Sequence, residues 1–301
     1  MVLESFDQLA DRARSAPRRT MAVAAAHDPH VLEAVRDAAG EGLVDYLLVG
    51  DPDAIRSTAG ELGFDPDPGR ILPETDDTAC AKRAVELVRE GRAQLLMKGK
   101  LQTSTLLREV VNKETGIGTG GLMSHMAFFQ LPSYKKLLAV TDGGMVLAPD
   151  LPGKKAILEN GVAFLQKLGC AEPRVAVLGP VEVVNPKIPA TVDARALQEM
   201  NQRGEIAGCV VAGPISMDLA LSAESARIKG FESPVTGDVD LMVVPDMTCG
   251  NILGKSFIYA AGAVMAGCIV GARVPIILTS RGSTAQEKLY SIVISALSNN
   301  D

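Results

Sequence analysis

The chain has 301 residues, of which 47% are hydrophobic and 22% charged, and it carries a formal net charge of -6. That length exceeds a comfortable single core, and the ordinary composition, with Gly and Pro dispersed along the chain, argues against disorder. The acidic balance argues against nucleic acid or an anionic membrane as the main partner, since both demand a positive field, but it leaves room for a local anion site.

In chain order, the segment MAVAAA reads as a buried strand, HDPHVLEAVRDAAGEG as a helix started by Asp28, and DYLLVG as a second strand. The rhythm continues with DPDAIRSTAGELG as helix, RILPE as a short strand, DDTACAKRAVELVREG as a helix capped near Asp77, and AQLLMKG as strand. After Leu137 come the strand LLAVTD, a helix from about Lys154 to Gly169, the strand RVAVLG, a helix from about Asp193, and the strand IAGCVVAG. Then follow DLMVVPD as strand, a long small-residue helix from Asn251 to Gly271, VPIILTS as strand, and a last helix from Thr284 to Leu297. Continuous apolar strands alternating with amphipathic helices predict parallel sheet covered on both faces, with ligand chemistry at the strand C-termini.

The five cysteines, Cys80, Cys170, Cys209, Cys249 and Cys268, form no CxxC pair, and the odd count points away from a disulfide framework toward a reducing compartment. The N-terminal stretch has no apolar core of a secretory signal, and the apolar run Ile258–Val270 is too short to span a bilayer. A cytoplasmic protein that binds no membrane is the expectation.

Several motifs are incomplete. Gly116–Gly121 satisfies GxGxxG, with Asp142 at ribose distance, but the preceding residues look helical rather than strand-like. The run from Cys249 to Ser256 has the GKS end of a phosphate loop without its first glycine; Asn251 and Lys255 stand there as candidates for phosphate or phosphoester binding at a helix start. Three histidines, His27, His30 and His125, show no zinc spacing, so no metal site is expected. His125, beside Ser124, is open between site and structure.

The strongest chemistry lies in VPIILTSRGSTAQE, where a strand end delivers the Ser280 hydroxyl and the Arg281 guanidinium, Gly282 permits a tight turn, and a helix start follows. Glu287, about one turn into that helix, is either a carboxylate that accepts a proton in the same cleft or the far member of a capping box with Thr284. A second positive site is Lys98-Gly99-Lys100, followed by Thr103, Ser104 and Arg108.

Taken in order, these segments resemble the phosphate acetyltransferase and phosphate butyryltransferase family nearly from end to end. The likeness runs through MKGKLQTSTLLREV, the Ser124-His125 pair, VEVVNPKIPATVDA, GPISMDLALS, KGFESPVTGDVDLMVVPD, CGNILGKSF and LTSRGS, and it is nearest to the butyryl branch. The resemblance implies two α/β/α domains, each a doubly wound, mostly parallel sheet, with an interdomain cleft and an isocitrate-dehydrogenase-like fold. We draw the domains as 1–136 plus 272–301 and 137–271. It further implies a homodimer or higher homo-oligomer acting on acyl-CoA or CoA and inorganic phosphate or acyl phosphate, with no cofactor beyond CoA as substrate. Carried over by residue, Ser280 and Arg281 contact the reacting phosphoryl group, Glu287 is the base for the CoA thiol where the acetyl branch has aspartate, and Arg108 is a second phosphate cation. Lys98, Gly99, Thr103, Ser124, His125, Asn251 and Lys255 complete the expected binding residues. Rival expectations are an acetyl-CoA preference, a metal- and NAD(P)-dependent dehydrogenase using Asp218, Asp238, Asp240 and Asp246, and an acyl-CoA binding module without activity.

Overall fold

The computed structural model describes residues 1–279 and 282–299. The chain divides into two compact units, one formed by Phe6–Gly121 with the segment from Ala266 onward, the other by Met1–Ser5 with Leu122–Met265.

The first unit opens with helix α1 (Phe6–Arg14) and then alternates β1 (Arg19–Ala24), α2 (Pro29–Gly40), β2 (Val44–Gly50), α3 (Pro52–Glu61), β3 (Ile71–Pro73), α4 (Asp77–Arg89), β4 (Leu95–Lys98) and α5 (Thr103–Val110). Helices α2, α3 and α4 each begin at an aspartate, Asp28, Asp51 and Asp76, whose carboxylate accepts first-turn backbone N–H groups. In α4 this cap falls at Asp76, one residue before the expected start. The late segment adds β10 (Val264–Val270), β11 (Ile276–Ile277) and α11 (Ala285–Leu297). The strand order is β3-β2-β1-β4-β11-β10, parallel except for the antiparallel β10–β11 pair. Helix α11 packs on α1 and α2, and Tyr290 stacks on Phe6 with ring centroids 4.8 Å apart.

The second unit contains β5 (Ser124–Gln130), β6 (Leu138–Thr141), α6 (Leu151–Lys167), β7 (Arg174–Leu178), α7 (Pro189–Gln202), β8 (Val210–Ile215), α8 (Met217–Leu221), α9 (Ala223–Lys229), β9 (Leu241–Val243) and α10 (Met247–Tyr259). Its strand order is β5-β6-β9-β7-β8, antiparallel only between β5 and β6. One face buries Phe129, Leu138, Val140 and Met242 against Phe257 of α10, with the two phenyl rings edge to face at 5.2 Å.

Three sequence expectations are corrected. The long helix drawn from Asn251 to Gly271 ends at Tyr259, because Gly262 adopts φ 67 and the following Val264–Val270, with its Val and Ile residues, is a buried strand. The segment SHMAFFQ, left without an element in the sequence reading, is β5. Contacts divide the chain after Gly121 and after Met265 rather than at 136/137 and 271/272, since β5 pairs with β6 and β10 pairs with β11. The first five residues also join the second unit, where the Leu137 N–H donates to Leu3 O at 2.7 Å. No helix among the described residues is long and apolar enough to cross a membrane.

Candidate functional site

In the first unit the parallel register aligns Ala24 with Lys98 and Met97 with Ile277, so β1, β4 and β11 deliver their C-termini to one edge. Ala25 then turns at φ 53, a conformation few side chains adopt, and the loop after β4 folds onto it. The Gly99 N–H donates to Ala24 O and the Lys100 N–H to Ala25 O, both at 2.8 Å. A Cβ at position 99 would overlap the Ala25 carbonyl oxygen, so Gly99 is a packing requirement. Lys98 turns back on the same loop, its Nζ donating to Gly99 O at 3.0 Å and Leu101 O at 3.1 Å.

Thr103 opens α5 and is exposed. Arg108 lies in the last turn of that helix, also exposed. Five residues of helix advance about 7.5 Å along the axis, so Thr103 and Arg108 stand at opposite ends.

Helix α11 begins with both bonds of a capping box. The Glu287 N–H donates to Thr284 Oγ1 at 3.2 Å, and the Thr284 N–H donates to Glu287 Oε2 at 2.9 Å. Glu287 thus anchors the helix through one carboxylate oxygen, as the second reading of the sequence anticipated. Next to it is a residue the sequence reading missed. Lys288 is 3% exposed, and its Nζ donates to Ser283 O at 2.8 Å. Burial pulls the Lys288 ammonium below the ordinary lysine range; the carboxylates of Asp28 and Glu287 oppose this and the Lys98 charge adds to it. Lys98, Lys288, Asp28 and Glu287 therefore share one electrostatic neighbourhood. Lys288 lies on the stripe that continues through Ser291, Ile292 and Ser295, and a lysine at that spacing is the signal that marks it. Ser280 and Arg281, the residues on which the sequence reading placed most weight, lie outside the described residues.

In the second unit a different cluster forms where β5 starts and β6 ends. The Asp142 carboxylate is buried and accepts four backbone N–H groups: His125 at 2.9 Å, Gly144 and Met145 at 2.7 Å, and Val146 at 3.3 Å. Thr141 Oγ1 donates to His125 O at 2.9 Å, which fixes the histidine backbone from its other side. The ring lies under Gly144, and its Nδ1 is buried with no hydrogen-bond partner among the described residues. Burial holds the His125 imidazole below the usual histidine range, with Asp142 pulling the other way. Ser124, fully buried, accepts from Asn160 Nδ2 at 3.1 Å and belongs to the packing between β5 and α6.

Asn251 joins the histidine cluster, its Nδ2 donating to Gly143 O at 3.3 Å. The run from Cys249 to Ser256 lies inside α10, whose N-terminus is capped by Asp246 accepting from the Cys249 N–H at 2.9 Å. That segment is helix rather than phosphate loop, and Lys255 is exposed one turn beyond Asn251. The GxGxxG run follows α5 and leads into β5, the wrong order for a dinucleotide fingerprint.

The aspartates of the dehydrogenase reading have other partners. Lys136 binds Asp238 at 3.0 Å and Asp240 at 2.6 Å, Asp246 caps α10, and Asp218 accepts from Lys229 and Ser216, which hold its carboxyl at about 2. The thiols are poor nucleophiles: burial raises Cys249, pushes Cys80, Cys170 and Cys209 to about 11, and pushes Cys268 to about 12.

Residues 74–296 match the family model described as "Phosphate acetyl/butaryl transferase". The chain is 41% identical over 296 residues to a phosphate butyryltransferase of Clostridium acetobutylicum, covering 98% of each protein. It is 40% identical over 292 residues to a phosphate acetyltransferase of Rhizobium meliloti, covering 97% of this chain and 92% of that one. Among solved structures, a branched-chain phosphotransacylase from Enterococcus faecalis superposes with a TM-score of 0.81 at 32% identity, covering 93% of this chain and 99% of that one.

Proposed function

The chain belongs to the phosphate acetyl/butyryl transferase family, and from that premise we propose that it interconverts a short-chain acyl-CoA plus inorganic phosphate with the acyl phosphate plus CoA, butyryl-CoA being favoured. The reaction balances without a further cofactor: the acyl carbon exchanges a C–S bond for a C–O bond, and one proton moves to the CoA thiolate. The observation that carries the site is the edge where β1, β4 and β11 end, where Lys98, Lys288 and Glu287 share one electrostatic neighbourhood, with Glu287 and Lys288 on the helix that follows Ser280 and Arg281 in sequence.

From the acyl phosphate side, Glu287 takes the thiol proton, the thiolate attacks the acyl carbon, and phosphate departs. Oε2 of Glu287 is held by the Thr284 N–H, which leaves Oε1 as the proton acceptor. Ser280 stabilises the developing oxyanion, and Arg281, with Lys98 and Arg108, holds the phosphate. The raised thiol pKa values support direct transfer over an acyl-cysteine intermediate.

We further infer a cytoplasmic, self-associating enzyme. The five free thiols suit a reducing compartment, and α10 exposes Ile252 and Tyr259, large apolar groups that a second copy would cover. The deciding experiment measures phosphate-dependent thiol release from acetyl-, propionyl-, butyryl- and isobutyryl-CoA. The expected outcome is turnover with the highest kcat/KM for butyryl-CoA. Binding without turnover would identify a binding module instead.

A further inference from the structure

Lys288 stands where a lysine is unfavourable on three counts. It falls in the first turn of α11, whose positive end disfavours a cation; it is buried; and it shares its face of the helix with the buried Ile292. Burial works against its ammonium, the carboxylates of Asp28 and Glu287 offset only part of that, and the charge of Lys98 opposes it further. A methionine would fill similar space without this cost, so packing does not account for the residue. Nor does the helix need it as a cap, since Thr284 and Glu287 already make both bonds of the box.

What the ammonium does is donate to Ser283 O at 2.8 Å, a charge-assisted bond that ties the residue before the N-cap to the helix behind it. The neighbouring turn uses the same device. Lys98 ends β4, and its Nζ donates to Gly99 O at 3.0 Å and to Leu101 O at 3.1 Å in the loop that follows. Strands β4 and β11 are adjacent and parallel, with Met97 beside Ile277. At this edge of the sheet, a lysine ammonium thus holds backbone carbonyls in the connection after each of the two strands.

Ser283 follows Arg281 by two residues and Ser280 by three. A chain spans at most about 3.6 Å per residue, so holding Ser283 limits where those two side chains can be delivered. We propose that Lys288 is a positioning residue for phosphate: by holding Ser283 O it fixes the end of the segment from which Ser280 and Arg281 meet the phosphoryl group. The proposal rests on the transacylase reading above and adds to it a residue that acts without touching substrate. Lys288, Ser283, Lys98 and Asp28 all belong to the first unit.

The test is kinetic, on the full chain, with butyryl-CoA and phosphate as substrates. Lys288→Met should raise KM for phosphate about tenfold and leave KM for butyryl-CoA within about twofold, because the phosphate cation is then delivered out of line. Joining it to Arg281→Lys decides whether Lys288 acts through Arg281. The loss of kcat/KM for phosphate in the double variant should be clearly smaller than the product of the two single losses. Losses that multiply would make Lys288 independent of Arg281 and overturn the proposal. So would a phosphate KM that Lys288→Met leaves unmoved while kcat or the folded fraction drops, the mark of a purely structural residue. If Lys288→Met does not fold, Lys288→Gln is the second variant, read by the same outcomes; its amide stops one atom short of Nζ, so the bond to Ser283 O is lost while a polar head is kept. A wild-type chain that releases no thiol in the presence of phosphate sinks the transacylase reading itself, whereas an active wild type with an unmoved phosphate KM in the variants sinks the role of Lys288 alone.

Discussion

Gly143 and Gly250 meet backbone to backbone: a Cβ on Gly250 would lie 2.7 Å from Gly143 Cα, and one on Gly143 would lie 2.8 Å from the Gly250 carbonyl carbon. Neither side has a flexible side chain that can yield. Gly250→Ala should therefore cost about 1–3 kcal/mol of stability through overpacking and shift α10 away from the turn at Gly143. Urea unfolding of the variant beside the wild type checks this; equal midpoints would mean that the two segments separate freely.

Asp142 is the hub of the same turn. Asp142→Asn keeps the shape but places an NH2 group among four backbone N–H donors, so at least one of them loses its acceptor. The expected loss is about 2–4 kcal/mol, measured by denaturant titration, because hydrogen bonds to a carboxylate are worth more than neutral ones. A loss under half a unit would mean that the carboxylate charge contributes nothing there.

Glu287 has two roles that one pair of variants separates. Gln can complete a capping box but cannot take a proton, so Glu287→Gln should keep its melting temperature while kcat falls by about 10²-fold or more. Thr284→Ala removes the acceptor for the Glu287 N–H and should cost about 1 kcal/mol of stability. If Glu287→Gln turns over as fast as the wild type, the carboxylate serves the helix alone.

Lys288 gives a pH signature. Its pKa in the folded state is depressed below the ordinary value of 10.5, so between the two values the unfolded chain binds more protons than the folded one. Stability from this group therefore rises with pH across that window, as the penalty for burying the charge disappears. Lys288→Met removes the penalty and the bond to Ser283 O together. The stability of wild type relative to Lys288→Met should climb as pH approaches 10.5, read from denaturation midpoints at several pH values. A difference that is flat with pH would contradict the burial argument.

Much of the architecture was legible because local signals agreed. Asp28 and Asp51, each before a proline, and the apolar runs after them marked where helices begin and strands follow. Thr284 and Glu287 announced their box by spacing alone, although the spacing could not say whether the carboxylate also served chemistry. The failures came where local signals are ambiguous or the cause is long-range. Small residues from Asn251 to Gly271 suit helix or strand equally, and only pairing with β11 decides that Val264–Val270 is extended. SHMAFFQ opens with polar residues, and its strand identity comes from β6. The contact of Gly143 with Gly250 joins residues 107 apart, which no periodicity encodes. Lys288 drew no notice in the sequence, because a single lysine beside a capping-box glutamate by itself says nothing of which way its helix turns; the fold places it inward.

The discontinuity of the first unit bears on how the protein is made. On the ribosome, β1 to β4 emerge long before β11, so β4 waits as an open parallel edge while the whole of Leu122–Met265 is synthesised. Helix α11, which seals α1 and α2, arrives later still. The nascent chain thus carries an unfinished sheet while the second unit is being made, and that interval is when its bare edge is most open to chaperones and to other nascent chains.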